Sequence, residues 1–421
     1  MVPWILLAFG LACAVAGLIS IAPPRWPGFA TVVAWPIGWL TSELPLHHLA
    51  LQLGATTALV LAGGARAWPG WVGLGGVALS VVILRQHLIA AARTTGIVER
   101  ALKDALGRDY HDRIEPTLRA SYDPTTAWSS LVWPWPRRPR GVRTIAHLAY
   151  GDHRRHRLDI HRPADDGDGP RPVFVYVHGG GWVVGNKRQQ GLLTVYELAR
   201  AGWVCVSINY RLSPAATFPD HLVDVKRALA WVRAHVAEHG GDPRFVVVGG
   251  GSAGGHLASL AALTANDRRY QPGFEDADTA VAGCVAYYGV YDFTDAGRAF
   301  RHRAFRELLL ARMVIKRPLT DDPAYRDASP HVQLAGAGGA APPMMIIHGT
   351  RDSLVPIRMA RAFVAEARRH GATVAYVELP LAHHAFELFP SLRSVVVVHG
   401  VHRFCQALYS RWRAAHPDPD R

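Results

Sequence analysis

The sequence predicts an α/β architecture, a mostly parallel sheet flanked by helices, preceded by an α-helical transmembrane region. Three observations predict it. From residue 144 onward, short β-rich runs alternate with longer helical stretches, the pattern of a parallel sheet covered on both faces. Nearly all the apolar excess of a chain that is 49% hydrophobic sits in about its first ninety residues. Finally, the β-branched run Val246-Val-Val248 stops at Gly-Gly-Gly-Ser252-Ala-Gly-Gly255 and gives way to the helix-like HLASLAALTA. A strand feeding a helix through one strained turn is a way of exposing a serine Oγ.

The elements of residues 1–93 are apolar. Residues 3–20 carry no charge and approach the ~20 residues a membrane span requires. A secretory signal is the competing reading; it lacks the positive n-region and is followed by further apolar segments. Cys13 follows Gly-Leu-Ala, a poor lipidation site. A second span is expected at 46–64 and a third at 71–92, where Arg85 can snorkel to the interface. Residues 29–40, broken by Pro36, are either a re-entrant or interfacial piece or a fourth span. Trp26, Trp35, Trp39, Trp68 and Trp71 suit an aromatic belt. Arg93, Arg100, Lys103, Arg108 and Arg113 follow the last span, so the positive-inside rule expects a multi-pass protein of the cell membrane with a cytoplasmic catalytic part and an external N-terminus.

Residues 94–143 form a basic connecting segment: an amphipathic helix over 94–118, then a Pro-, Trp- and Arg-rich linker or membrane-surface strap at 126–141. The net charge of +13 raises nucleic-acid binding, but the basic residues show no repeated motif or aromatic interleaving, and their position after the apolar region suits anionic lipid instead. No nucleic-acid partner is expected. The four cysteines, Cys13, Cys205, Cys284 and Cys405, are scattered and read as free thiols, with neither a disulfide framework nor a metal site.

Residues 144–415 form the expected catalytic domain. Strands are predicted at 157–160, 173–178, 203–209, 245–248, 282–287, 344–348 and 374–378, with helices at 222–238 and 358–370 among those between them. Chemistry in such sheets gathers at the carboxyl ends of the strands, and each candidate motif lies at one. After VFVYV comes His178-Gly-Gly-Gly-Trp182; successive glycines let backbone amides approach a developing oxyanion, and His178 reads as structural. After MMIIHG comes Asp352, a carboxylate able to orient a histidine. Asp321, Asp322 and Asp327 lie in what reads as an insertion and lack that placement. After VAYVEL comes the pair His383-His384, completing the chain order Ser, Asp, His. His384 is favoured because His-x-Phe follows it. His256, His348, His47 and His48 read as helix packing, strand end and membrane interface.

HGGGW (178–182), NYRLSP (209–214), FPDHLVDV (218–225), GGSAGG (250–255), GTRD (349–352) and HHAF (383–386) together resemble the α/β-hydrolase superfamily, and within it the hormone-sensitive-lipase-like esterases. A hydrophobic N-terminus ahead of such a domain also resembles certain actinobacterial carboxylesterases. The resemblance covers roughly residues 144–412. It implies Ser252 as nucleophile, His384 as base and Asp352 as orienting acid, with the amides of Gly180, Gly181 and Ala253 as oxyanion donors. It implies no metal or cofactor, and a lipophilic carboxylic ester of short to medium acyl length as substrate, drawn from membrane lipid. Gly251 departs from the Asp often found there, and is more like a branch containing kynurenine-formamidase-like and feruloyl-esterase-like enzymes, which makes an arylformamidase or amidase the alternative. A silent hydrolase fold serving as a receptor is opposed by the complete Ser252, Asp352 and His384 set. A transporter is opposed by the lack of polar pathway residues in the spans. The oligomeric state has no signature in the sequence.

Overall fold

A computed structural model of the chain describes residues 1–24, 29–120, 132–165, 169–300, 306–319, 323–337 and 341–417. Trp26, Asp321, Asp322 and residues 126–131 of the predicted linker lie outside the described residues. The described residues build one eight-stranded sheet of order β1-β2-β4-β3-β5-β6-β7-β8. Its strands are β1 (Val142–Ala149), β2 (Arg157–Pro163), β3 (Arg171–Val177), β4 (Val204–Ile208), β5 (Gly241–Gly251), β6 (Gly283–Tyr287), β7 (Met344–Gly349) and β8 (Val374–Leu379). Pairing is antiparallel for β1–β2 and β2–β4 and parallel elsewhere.

All seven predicted strands are present; β1 is the one the sequence reading missed. VRTIAHLA is largely uncovered, as an edge strand is. Its register also slips between Ile145 and Leu148, where His147 adopts a φ of 62°. The His147 amide is held by the buried Asp159 carboxylate at 2.7 Å. No alternating pattern survives such a bulge.

The central strands are buried on both sides, and alternate residues enter separate cores. Val173, Val175 and Val177 of β3 pack with α7 (Asp220–His235) and α8 (Ala253–Leu263). Phe174 and Tyr176 face the other way, toward α6 (Leu192–Arg200) and α10 (Leu392–Ala415). The amphipathic helix α9 (Ile357–Arg369) covers the β7–β8 end through Met359, Ala360 and Phe363.

The N-terminal helices are α1 (Val2–Ile21), α2 (Phe29–Glu43), α3 (Pro45–Leu61), α4 (Trp68–Ala92) and α5 (Thr94–Leu106). α1 and α4 run parallel and close: Gly10 lies on the Gly73 backbone, Gly17 on Ser80 and Ile83, and Ser20 Oγ is 2.7 Å from His87 Nε2. A side chain at Gly10 or Gly73 would meet backbone, so small residues set the helix separation. Val2–Ile21 and Trp68–Leu106 are long and apolar enough to cross a membrane, and α2 with α3, bent by 90°, make a third crossing if the pair is counted as one. Within the span expected at 46–64, α3 has 17 residues, about 25 Å at 1.5 Å per residue against a core of ~30 Å, ends before Gly63 in the left-handed region, and counts as a crossing together with α2.

The predicted helix over 94–118 is corrected. α5 stops at Gly107, whose φ of 100° breaks the helix, and helix resumes only at Pro116–Ala120. α5 is built into the second core through Val98 and Leu102, and Glu99 bonds Arg403 of α10 and Tyr110.

Candidate active site

Ser252 stands between β5 and α8 with φ 57° and ψ −120°. For a non-glycine residue this backbone is strained, and three contacts hold it. Its amide donates to Tyr287 O on β6 at 2.9 Å, and its carbonyl accepts from His256 at 3.0 Å to start the helix. Gly254 lies directly on the Val177 carbonyl of β3. Ser252 is only half-buried.

The side chain of Asp352, in the turn after β7, has no solvent exposure. Its Oδ1 accepts from the amides of Leu354 at 2.9 Å and Val355 at 2.8 Å. Its Oδ2 lies 2.7 Å from His384 Nδ1, and His384 Nε2 lies 2.8 Å from Ser252 Oγ. The structure thus brings Ser252, His384 and Asp352 into one hydrogen-bonded chain from three strand ends. Burial alone would raise the Asp352 carboxyl; the charge of His384, with hydrogen bonds from His348 and His384, reverses this and holds it well below the carboxylate range. His348, read from sequence as a strand-end residue, is a second partner of this carboxylate at 3.3 Å.

The neighbouring His383 points the other way, its Nε2 2.8 Å from Ser20 O of α1. Burial pushes it down to about 4.

The loop after β3 runs alongside the serine: a Cβ on Gly179 would stand 3.0 Å from Ser252 Cβ. Gly180 and Gly181 have φ of 107° and 60°, open to glycine at little cost. Gly179 donates its amide to Gln190 Oε1 at 2.7 Å. His178 braces the loop, with Nδ1 2.7 Å from Gly179 O and its ring stacked on Tyr210 at 4.4 Å. Burial pushes His178 down to about 4, so it is neutral near pH 7. The two sequence motifs downstream serve the same brace. Tyr210 donates to His178 O at 3.0 Å, and Arg211 next to it forks onto the buried Asp224. Ala253 opens α8, so its amide is a free helix-start donor beside the serine. His256 is structural, with Nδ1 accepting from Trp182 at 3.2 Å and Nε2 2.7 Å from Ala328 O.

Beneath the site lies a set of side chains that sequence reasoning missed. The Tyr288 ring packs on His384 at 4.4 Å, and its hydroxyl donates to the buried carboxyl of Glu387. A side chain at Gly251 would begin 2.9 Å from Tyr288 Oη and 3.2 Å from Tyr176 Oη. The glycine in the elbow is therefore a packing requirement. The one signal in the sequence was a tyrosine pair ending β6 and a glutamate three residues after His384, neither distinctive alone. Among the described residues there is no cluster of three or more metal-ligating side chains, and all four cysteines are free and buried.

An open, mostly parallel sheet with a serine elbow, an acid and a histidine following β5, β7 and β8 defines an α/β hydrolase. Comparison with known proteins narrows the class: the chain belongs to the carboxylic ester hydrolases of that superfamily. The family model BD-FAE matches residues 158–366. The probable carboxylic ester hydrolase LipM of Mycobacterium tuberculosis is 42% identical, over 98% of this chain and 95% of that protein. The esterase LipQ of the same organism is 40% identical, over 91% of this chain and 86% of that protein. Esterase B of Lactobacillus rhamnosis shares the fold, with a TM-score of 0.58 at 22% identity over 67% of this chain and 92% of its own.

Proposed function

We propose that the chain is a membrane-anchored serine carboxylesterase acting on lipophilic carboxylic esters of short to medium acyl length through an acyl-enzyme. The observation that carries this reading is the Ser252–His384–Asp352 chain, with contacts of 2.8 and 2.7 Å. His384 takes the proton of Ser252 as Oγ attacks the ester carbonyl. The oxyanion forms against the amides of Gly180, Gly181 and Ala253, where preorganised donors act in low dielectric. His384 returns the proton to the departing alcohol, then activates the water that releases the acid. Asp352, ionised, stabilises the imidazolium throughout.

The apolar helices α1 and α4 support multi-pass anchoring. Their parallel course requires α2 and α3 to bring the chain back, which gives an odd number of crossings. With the Arg- and Lys-bearing α5 at the catalytic side, the positive-inside rule favours a cytoplasmic catalytic domain and an external N-terminus. Substrate then arrives from membrane lipid. Because Gly251 has a packing reason, it does not argue for amide substrates.

Ser252→Ala in the full chain is expected to lower kcat on p-nitrophenyl butyrate by at least about 10⁴-fold and to abolish fluorophosphonate labelling. Retained turnover would end the reading.

A further inference from the structure

The helix α2 carries residues that reach the catalytic histidine from outside the hydrolase domain. Trp35 donates its indole N–H to the carbonyl of His384 itself at 3.2 Å, and Trp39 donates to Ala385 O at 2.9 Å. The two indoles stack on each other at 5.2 Å, and Trp39 stacks on Phe389 at 4.8 Å. Between them Gly38 faces the His383 ring so closely that a Cβ would stand 2.7 Å from Cε1. One turn on, Glu43 forms a fully buried ion pair with Arg393, which also donates to Pro380 O at 3.2 Å. Residues 35, 38, 39 and 42 share one helix face, while Val33 and Ile37 on the other are exposed. The face that meets the histidine loop is polar at its tips, and the face away from it is apolar.

The loop needs such support. Ala385 sits in the left-handed region at φ 63°, so the carbonyls around it point out of any regular ladder: that of Ala385 has one local donor, the Leu388 amide at 3.2 Å, and the remaining acceptor positions need donors from elsewhere. Aligned indole N–H groups supply them. Displacement of a reacting group by about 1 Å can cost on the order of 10²-fold in rate.

We propose that Trp35 and Trp39 are positioning residues for His384, so that the helix α2, rather than the hydrolase domain alone, sets the Ser252–His384 geometry. The proposal rests on the esterase reading of Ser252. A change in how α2 lies against the bilayer is then transmitted directly to the base.

The test uses the full chain in lipid nanodiscs, comparing wild type with Trp35→Phe, Trp39→Phe, the double variant and Trp4→Phe at the far end of the helices as a control. The double variant is expected to lose roughly tenfold or more in kcat on p-nitrophenyl butyrate with KM within about twofold, and to shift the acid limb of kcat/KM against pH. Each single variant falls between, and Trp4→Phe matches wild type. To separate the N–H from packing, benzothienylalanine at position 35, which keeps the ring shape and lacks the donor, should reproduce the loss of Trp35→Phe. Unchanged kcat in the double variant overturns the positioning role, as does a loss matched by an equal fall in titratable active sites. Ser252→Ala, run alongside, reports on the esterase reading by itself. Turnover lost there but kept in the tryptophan variants overturns the positioning role alone.

Discussion

Ser252 is held by backbone close to it in the sequence and by the strands on either side, whereas His384 is held by residues from the other end of the chain. The serine takes its amide contact from Tyr287 and its helix start from His256. The histidine's own carbonyl takes a donor 349 residues away, and the next carbonyl one 346 residues away. Strand–turn–helix geometry needs only glycines and a β-branched run, so it is built locally. A loop past the last strand has no such frame, and here apolar helices provide one. The placement of Ser252 is therefore a property of the hydrolase sheet, and that of His384 is a property of the sheet and the N-terminal helices together.

The largest effect that sharpens this contrast is at Asp352, which holds His384 Nδ1 from the end of β7. Asp352→Asn keeps the shape but offers the imidazole the wrong partner, and kcat is expected to fall by about 10⁴-fold with little change in fold. A fall of less than about tenfold, measured on p-nitrophenyl butyrate, would mean that the helix α2 can orient His384 without it.

Next is Gly251, which tests the serine side. Gly251→Asp restores a residue often seen in the resembling esterases, but here its Cβ meets Tyr288 Oη and Tyr176 Oη at 2.9 and 3.2 Å. The carboxylate also enters a pocket already holding Glu387. Overpacking costs about 1–3 kcal/mol, and an unpaired buried charge adds to it. The variant is expected to unfold at lower denaturant and to lose at least about tenfold in kcat. Wild-type behaviour in both would show that the tyrosines can move aside.

The same contrast explains what the sequence could and could not reveal. HGGGW, GGSAGG, GTRD and HHAF each follow or end a strand, and short β-rich runs marked seven of the eight described strands, because local backbone demands leave local residue patterns. β1 was missed because an edge strand with a bulge needs no apolar alternation. Trp35 and Trp39 were legible as interfacial tryptophans, but nothing near them indicates a contact with residue 384. Tyr288 and Glu387 were overlooked for the same reason: a pair 99 residues apart forms only when the sheet aligns β6 with the loop after β8. Choosing between His383 and His384 rested on one following phenylalanine, and the geometry separates them by sending one ring to Ser252 and the other to Ser20.

The smallest effect concerns Glu387, which ties the histidine loop to Tyr288 from the inner side. Burial, against the opposing hydrogen bond from Tyr288, lifts this carboxyl from its ordinary 4.5 up to about 7. The folded protein therefore holds the proton more tightly than the unfolded chain does. The stability this confers is full below about pH 4.5 and is lost as pH rises through about 7. At about 1.4 kcal/mol per tenfold change in proton affinity, the loss is on the order of 3 kcal/mol. Glu387→Gln keeps an acceptor for the Tyr288 hydroxyl and cannot ionise. Denaturant unfolding in detergent between pH 5 and 8.5 should show the wild type losing stability relative to this variant across that window. Parallel pH curves for the two proteins would mean that Glu387 stays ionised beneath His384, and that the inner tie of the loop is a charged one.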